Sequence, residues 1–293
     1  MLSILIPTYN ADLTALLQEL DRQIQKDQLA VSVWVCDDAS TDKSLQAQNK
    51  NISEQLGFNY LSNTENLGRT ATRAKLAQMA PTQWLLFLDA DVIPARGDFL
   101  NQMLSDISDE LDVVFGGVSY ADAPPPQAQL LRYVYGKKRE ARSASERTKN
   151  PHFIISQNLC ITKSMFESCN TVTANGYGMD NLFSNNLKNH KARIKHTDNP
   201  VIHLGLESSE QFLQKSLEGI QTTVQLEAKG LIAPNLRPIQ RLYNKLNKFG
   251  LTSLFLAISN GFSKSIESNL KGKRPSLILF DIYRMNHLIK LKK

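Results

Sequence analysis

Along the first hundred residues, short apolar runs end at polar clusters and alternate with stretches of helical spacing. Leu2 to Ile6 reads as a buried strand stopped by Pro7. Leu13, Leu16, Leu17 and Leu20 recur at helical intervals and predict an amphipathic helix over about residues 12–25. Val31 to Cys36 reads as a second strand that runs into the polar loop Asp37-Asp38-Ala39-Ser40-Thr41-Asp42. Phe58 to Leu61 reads as a third, and Val113 to Phe115 as a fifth. Between them Trp84 to Leu88 forms an unbroken apolar run, the mark of a strand buried on both faces. Arg69 to Ala80 lacks helix breakers and predicts a helix. Strands alternating with helices predict an α/β fold, a mostly parallel central sheet flanked by helices.

The pattern changes after Ala123-Pro124-Pro125-Pro126. Lys137 to Asn150 is highly charged with few apolar residues, and reads as a connection, a lid, or a surface helix followed by a loop. Asn175-Gly176-Tyr177-Gly178 reads as a tight turn leading into Met179-Asp180, which opens a helix. Helical patterns dominate after Glu207.

In open α/β sheets, ligands bind outside the C-terminal ends of the strands. Three polar clusters follow predicted strands: Pro7-Thr8-Tyr9-Asn10, Asp37-Asp38 and Asp89-Ala90-Asp91. They are expected along one edge. Asp89 and Asp91, one residue apart, can share a hard cation that also takes phosphate oxygens as ligands. Such a cation would stabilise charge building on a departing nucleoside diphosphate. A carboxylate accepts hydrogen bonds, so Asp38 suits a ribose or the imide N–H of uracil. Arg69 and Arg73, one helical turn apart behind Asn66-Leu67-Gly68, suit a diphosphate. Taken singly, each cluster reads more simply as a turn, a cap or a solvated helix face. Their convergence on one edge favours the functional reading.

Four strings then carry a resemblance: Ser3-Ile-Leu-Ile-Pro-Thr-Tyr-Asn10, Val35-Cys-Asp-Asp-Ala-Ser-Thr-Asp42, Glu65-Asn-Leu-Gly-Arg-Thr-Ala-Thr-Arg73 and Phe87-Leu-Asp-Ala-Asp91. In order and spacing they resemble the family-2 glycosyltransferases, well over about the first 100 residues and more weakly as far as His203. The resemblance implies a GT-A fold and inversion at the anomeric carbon of a nucleotide sugar. It implies a nucleotide-sugar-binding half at 1–120 and an acceptor-binding and catalytic-base half of the same domain at 121–206; beyond it, the residue pattern itself gives a helical basic segment at 207–293. By position it assigns Pro7, Thr8, Tyr9, Asn10, Asp38, Arg73, Asp89 and Ala90 to the donor, with Tyr9 packing on the base and Asp38 reading it. Asp91, Asp89 and His203 fall to a divalent metal, Mn2+ or Mg2+. Asp180 matches the family's catalytic base, although Met179 stands where a glutamate usually precedes it. A UDP-linked donor is favoured because of Asp38. The acceptor implied is a saccharide or lipid-linked molecule in cell-surface polysaccharide or lipopolysaccharide assembly. Gln129-Leu130-Leu131-Arg132-Tyr133 is similar to the Q-x-x-R-W signature of processive synthases, but it precedes Asp180 where theirs follows the base. A single-addition transferase is therefore favoured.

Charge adds one feature. The chain carries +6 overall, yet residues 237–293 alone hold 12 Lys/Arg against Glu267 and Asp281, a local +10 that leaves −4 for the rest. Leu251, Leu254, Phe255, Ile258 and Phe262 recur there at helical spacing. An amphipathic surface for anionic lipid headgroups is one reading, and helices packed on a core with basic outer faces is the other. No nucleic-acid motif accompanies the charge. With no leader pattern and no apolar run long enough to span a bilayer, the expected location is cytoplasmic, peripheral on the inner face of the cytoplasmic membrane. Cys36, Cys160 and Cys169 are too few and too scattered for a disulfide framework or a thiolate zinc site. A sugar-phosphate nucleotidyltransferase is the competing enzyme class, but the turn after the first strand lacks the glycines it would need. A catalytically inactive nucleotide-sugar-binding module is the third reading.

Overall fold

The computed structural model describes residues 1–171 and 176–293, so Asn175 of the expected turn lies outside the described residues. The chain forms two compact units. The first comprises Met1–Ala121, Glu140–Asn175 and Asn186–Gly205; the second comprises Asp122–Arg139, Gly176–Asn185 and Leu206–Lys293.

The first unit is built on a seven-stranded sheet. Its strands are β1 (Leu2–Thr8), β2 (Val31–Asp37), β3 (Asn59–Ser62), β4 (Trp84–Leu88), β6 (Val113–Phe115), β8 (Asn158–Thr162) and β9 (Ile194–His196), and β5 (Val92–Pro94), β7 (Val118–Ser119) and β10 (Val201–His203) form a separate small sheet. The order in the large sheet is β3-β2-β1-β4-β8-β6-β9. β1, β2, β3 and β4 run parallel, as do β6 and β9, whereas β8 is antiparallel to both of its neighbours. β1 and β4 are buried along their whole length, as their unbroken apolar runs predict. Each fully buried Leu, Ile or Phe contributes roughly 1.5–3 kcal/mol. All three cysteines are buried and unbridged.

This topology positions the candidate site. The chain steps outward from β1 to β2 to β3 and then returns to lay β4 on the other side of β1. The strand order therefore reverses between β1 and β4, the place where open sheets leave a crevice at their C-terminal ends. Thr8 closes β1, Asp37 closes β2 and Asp89 follows β4.

Lys43–Gln55 and Phe99–Asp106 are among the helices that the hydrophobic pattern does not show. Lys43–Gln55 buries Asn49 and Ser53 rather than apolar side chains. Asn49 accepts from the Leu13 amide at 3.0 Å and donates to the Ala11 carbonyl at 2.8 Å, so this helix is docked by polar bonds. Phe99–Asp106 is short, and its apolar residues give too few turns to read as periodic. The charged stretch 137–150 is ordered into a π turn, Gly136–Glu140, and a short helix, Ala144–Arg147. Arg147 lies over the Phe115 ring and donates to the Thr197 carbonyl at 2.6 Å, which ties that helix down.

The second unit is helical. Ser209–Ala228 starts with a capping box on Ser208 and packs with Leu277–Leu291. One core gathers Leu131, Phe212, Leu213, Ile266, Leu270 and Phe280, and another gathers Ile220, Leu256, Met285, Leu288 and Ile289. Arg132, of the string resembling the synthase signature, lies over Phe212 and pairs with Glu207 at 3.3 Å. Among the described residues no helix is long and apolar enough to cross a membrane.

Candidate active site

The loop after β2 is organised by its own acids. Asp37 is sealed from solvent, with Ser40 and Gln46 donating to its carboxylate at 2.6–2.9 Å. Asp38 is also buried. Its Oδ1 accepts from Asn63 at 2.7 Å and from the Leu67 amide at 2.9 Å, and its Oδ2 accepts from the Gly68 amide at 2.8 Å. Asp38 thereby fixes the loop that delivers the helix Arg69–Met79. Asn10, in left-handed backbone with φ 50, joins the first two loops: its Oδ1 accepts from the amides of Thr41 at 2.9 Å and Asp42 at 3.1 Å. Pro7 and Thr8 are buried and Tyr9 is exposed. Thr8 Oγ1 is buried at the strand end with no hydrogen-bond partner among the described residues.

Asp89 and Asp91 take different partners. Arg69 Nη2 donates to Asp89 Oδ2 at 2.6 Å, and Arg73 Nη2 donates to Oδ1 at 2.7 Å and to the Ser156 carbonyl at 2.6 Å. Burial pushes the Asp89 carboxyl up, but the two guanidinium groups outweigh it and hold it below the ordinary aspartate value. Arg73 is buried over the Phe87 ring, whereas Arg69 is largely exposed. Both arginines of the predicted diphosphate cluster thus converge on the first acid of the D-x-D string.

Asp91 lies one residue beyond Ala90, where the chain passes from the large sheet to the small one. β5 pairs antiparallel with β10, with Val92 opposite His203. This register brings His203 Nε2 to 3.1 Å from Asp91 Oδ2. The His203 ring is buried and meets Tyr120 edge-on at 5.6 Å, while the Asp91 side chain is 40% exposed. The Leu204 amide donates to the Asp91 carbonyl at 2.8 Å. Gly205 lies so close beneath Asp91 that a Cβ there would stand 2.1 Å from Oδ2. The hydrophobic pattern carries no sign of Tyr120 or Gly205, since both act through chain segments distant in sequence.

The donor set fits a hard divalent cation shared with phosphate. Two ligands about 2.1 Å from one ion and at right angles stand roughly 3.0 Å apart, close to the Asp91–His203 spacing. Among the described residues no three His, Cys, Asp or Glu side chains cluster as a metal site. A cation held here would draw its remaining ligands from phosphate and water, as Mg2+ sites commonly do.

Asp180 belongs to the second unit and opens the helix Asp180–Asn189. The turn before it rests on the helix Ser209–Ala228. Gly178 has φ +98, and a Cβ on it would come within 3.2 Å of the Gly219 Cα. Asn181 donates to Thr223 Oγ1 at 3.4 Å. A glycine is needed at 178 both for the positive φ and for this close approach.

The model of glycosyl transferase family 2 matches residues 3–170. This is more than half of the chain, and the protein belongs to that family. Its fold is that of the GT-A glycosyltransferases. Among solved structures, the mannosyltransferase PcManGT of Pyrobaculum calidifontis, in complex with GDP-Man and Mn2+, is 15% identical with a TM-score of 0.55, covering 97% of this chain and 86% of its own. TarS of S. aureus is 19% identical with a TM-score of 0.51 over 75% of this chain, which spans only 39% of the TarS chain. Glucosyl-3-phosphoglycerate synthase of Mycobacterium tuberculosis, in complex with Mn2+, UDP and glucosyl-3-phosphoglycerate, is 13% identical with a TM-score of 0.51, covering 77% of this chain and 79% of its own. At these identities the likeness is one of fold. No curated protein matches the chain.

Proposed function

We propose that this glycosyltransferase moves a sugar from a nucleoside-diphosphate donor, UDP-linked by preference, to a saccharide or lipid-linked acceptor with inversion. Its place would be in cell-surface polysaccharide or lipopolysaccharide assembly, peripheral on the inner face of the cytoplasmic membrane. The observation that carries the reading is the Asp91–His203 pair at 3.1 Å, beside the point where the strand order reverses. In this reading the first unit takes the donor. Tyr9 covers the base, Thr8 Oγ1 gains a partner from the nucleoside, and Pro7, Asn10 and Asp38 shape the wall. Asp38 acts here chiefly through the loop it holds. Arg69 faces the diphosphate while Arg73, beneath Asp89, keeps that carboxylate in place. Ala90 lets the chain turn from one acid to the other.

A divalent ion, Mn2+ or Mg2+, held by Asp91 and His203 with Asp89 nearby would supply positive charge against the leaving diphosphate. Asp180 takes the proton from the acceptor hydroxyl as that oxygen attacks the anomeric carbon. The bond from the anomeric carbon to the phosphate oxygen breaks on the opposite face, and the nucleoside diphosphate leaves with the electron pair.

Turnover tests this directly. The protein is incubated with UDP- and GDP-sugars and membrane or polysaccharide acceptor fractions, and release of UDP or GDP is measured. Release that depends on acceptor supports the transferase. Pyrophosphate released from a nucleoside triphosphate plus sugar phosphate would instead mark a nucleotidyltransferase, and no turnover with intact nucleotide binding would mark a binding module.

A further inference from the structure

The helix Thr252–Gly261 has two apolar faces, and the second unit covers one of them. Leu256 is buried and Phe255 half-buried against Ile220, Met285, Leu288 and Ile289. On the other side Leu251, Leu254, Ile258 and Phe262 follow one another at intervals of three and four residues, which places them on one narrow stripe. Leu254, Ile258 and Phe262 are 57%, 55% and 63% exposed, and Phe249, at the end of the preceding helix, is 70% exposed. No charged residue occurs from Phe249 to Ser263. Cations border this stretch on both sides: Lys245 and Lys248 before it, Lys264 after it, and Lys273 and Arg274 further on, all exposed. Glu267 is the single acid in the same run from 245 to 274.

We propose that this face docks on an anionic bilayer. Phe249, Leu251, Leu254, Ile258 and Phe262 enter the boundary between headgroups and acyl chains, with Lys245, Lys248 and Lys264 at the level of the lipid phosphates. Contiguous exposed apolar surface of this kind marks an interaction site. Charge complementarity selects the occupant: residues 237–293 carry +10 against −4 for the rest of the chain, so the charge around this face favours an anionic surface. The apolar stripe between two sets of lysines has the distribution of an interfacial helix, lying in the membrane plane without spanning it. The proposal goes beyond the transferase reading by naming the docking element, and its test needs neither donor nor acceptor.

The test is flotation of the full chain with vesicles of phosphatidylcholine alone or mixed equally with phosphatidylglycerol, at low and high salt. Binding to the anionic vesicles is expected to exceed binding to the neutral ones by about tenfold or more, and to fall with salt. The triple variant Leu254→Ser/Ile258→Ser/Phe262→Ser and the charge variant Lys245→Glu/Lys248→Glu/Lys264→Glu should each lose about tenfold in vesicle binding, with thermal midpoints near that of the parent. Equal binding to both vesicle types, or anionic binding untouched by the triple variant, would overturn the proposal. So would a parent chain that floats with neither vesicle but elutes as a dimer that the triple variant dissociates, which would make the face a contact between copies. Absence of sugar transfer by the parent chain with vesicle binding intact would count against the transferase reading alone.

Discussion

Asp91 and His203 meet at the end of the β5–β10 ladder, where Val92 pairs with His203, with Oδ2 and Nε2 3.1 Å apart. A carboxylate half in solvent beside a buried imidazole would serve the proposed cation as a two-point claw, and the strand register sets its spacing. His203→Ala should therefore weaken Mn2+-dependent nucleotide binding by about tenfold or more, a loss of about 1.4 kcal/mol per decade, with metal-free binding unchanged. Calorimetric titration of UDP and GDP with and without Mn2+ separates the two. An equal loss in both conditions would give His203 a purely structural role.

Gly205 offers a finer probe of the same pair. A Cβ there would meet Asp91 Oδ2 at 2.1 Å, so Gly205→Ala must push the carboxylate away from His203. Overpacking of this kind costs about 1–3 kcal/mol. The expected result is a modestly lower melting temperature together with a lost Mn2+ effect on nucleotide binding. Retention of the full Mn2+ effect would show that the position of Asp91 does not govern the metal.

The Asp89–Arg73 pair predicts a pH dependence. Asp89 has its carboxyl held below the ordinary aspartate value in the folded state. The stability this supplies is fully present above the unfolded aspartate value and is lost as pH falls through the folded one. Urea unfolding followed from neutral pH downwards should show an acid slope that Asp89→Asn flattens. Removing one partner of a buried pair costs roughly 3–5 kcal/mol, so Arg73→Met should be clearly less stable at neutral pH. Parallel acid slopes for parent and Asp89→Asn would contradict the assignment.

Asp38 holds Asn63 and the amides of Leu67 and Gly68. Asp38→Ala leaves buried donors unsatisfied, at about 1–3 kcal/mol each. The variant should unfold at lower urea, with faster amide exchange at Leu67 and Gly68. Unchanged exchange there would mean that the loop is held by something else.

Asp180→Asn removes the proposed base while keeping size and hydrogen bonding. Turnover should fall by about 10²–10⁴-fold, with donor affinity kept. Near-parental turnover would move the base to another residue.

Much of this was legible in the residues alone. β1 and β4 stood out because an unbroken apolar run leaves few alternatives to a strand buried on both faces. Their C-terminal ends then pointed to the crevice. The helix Lys43–Gln55 was hidden because Asn49 and Ser53 dock it, and polar burial leaves no hydrophobic period. Spacing placed Asp89 and Asp91 side by side, but it carried nothing of the passage between sheets that sends one acid to Arg69 and Arg73 and the other to His203. The arginine partners of Asp89 were foreseen only as ligands for phosphate. In the C-terminal helices, the repeat of Leu251, Phe255, Ile258 and Phe262 showed a helix but not its sides; packing sends Phe255 inward and leaves the other three outside.

The most direct test of the account is nucleotide binding by the intact chain as Mn2+ is titrated. The account predicts that UDP, or failing that GDP, stabilises the protein in a Mn2+-dependent manner, and that Asp91→Ala abolishes the metal's contribution while nucleotide alone still binds weakly. Binding that ignores Mn2+ in the parent, or that persists at full strength with Mn2+ in Asp91→Ala, would contradict it.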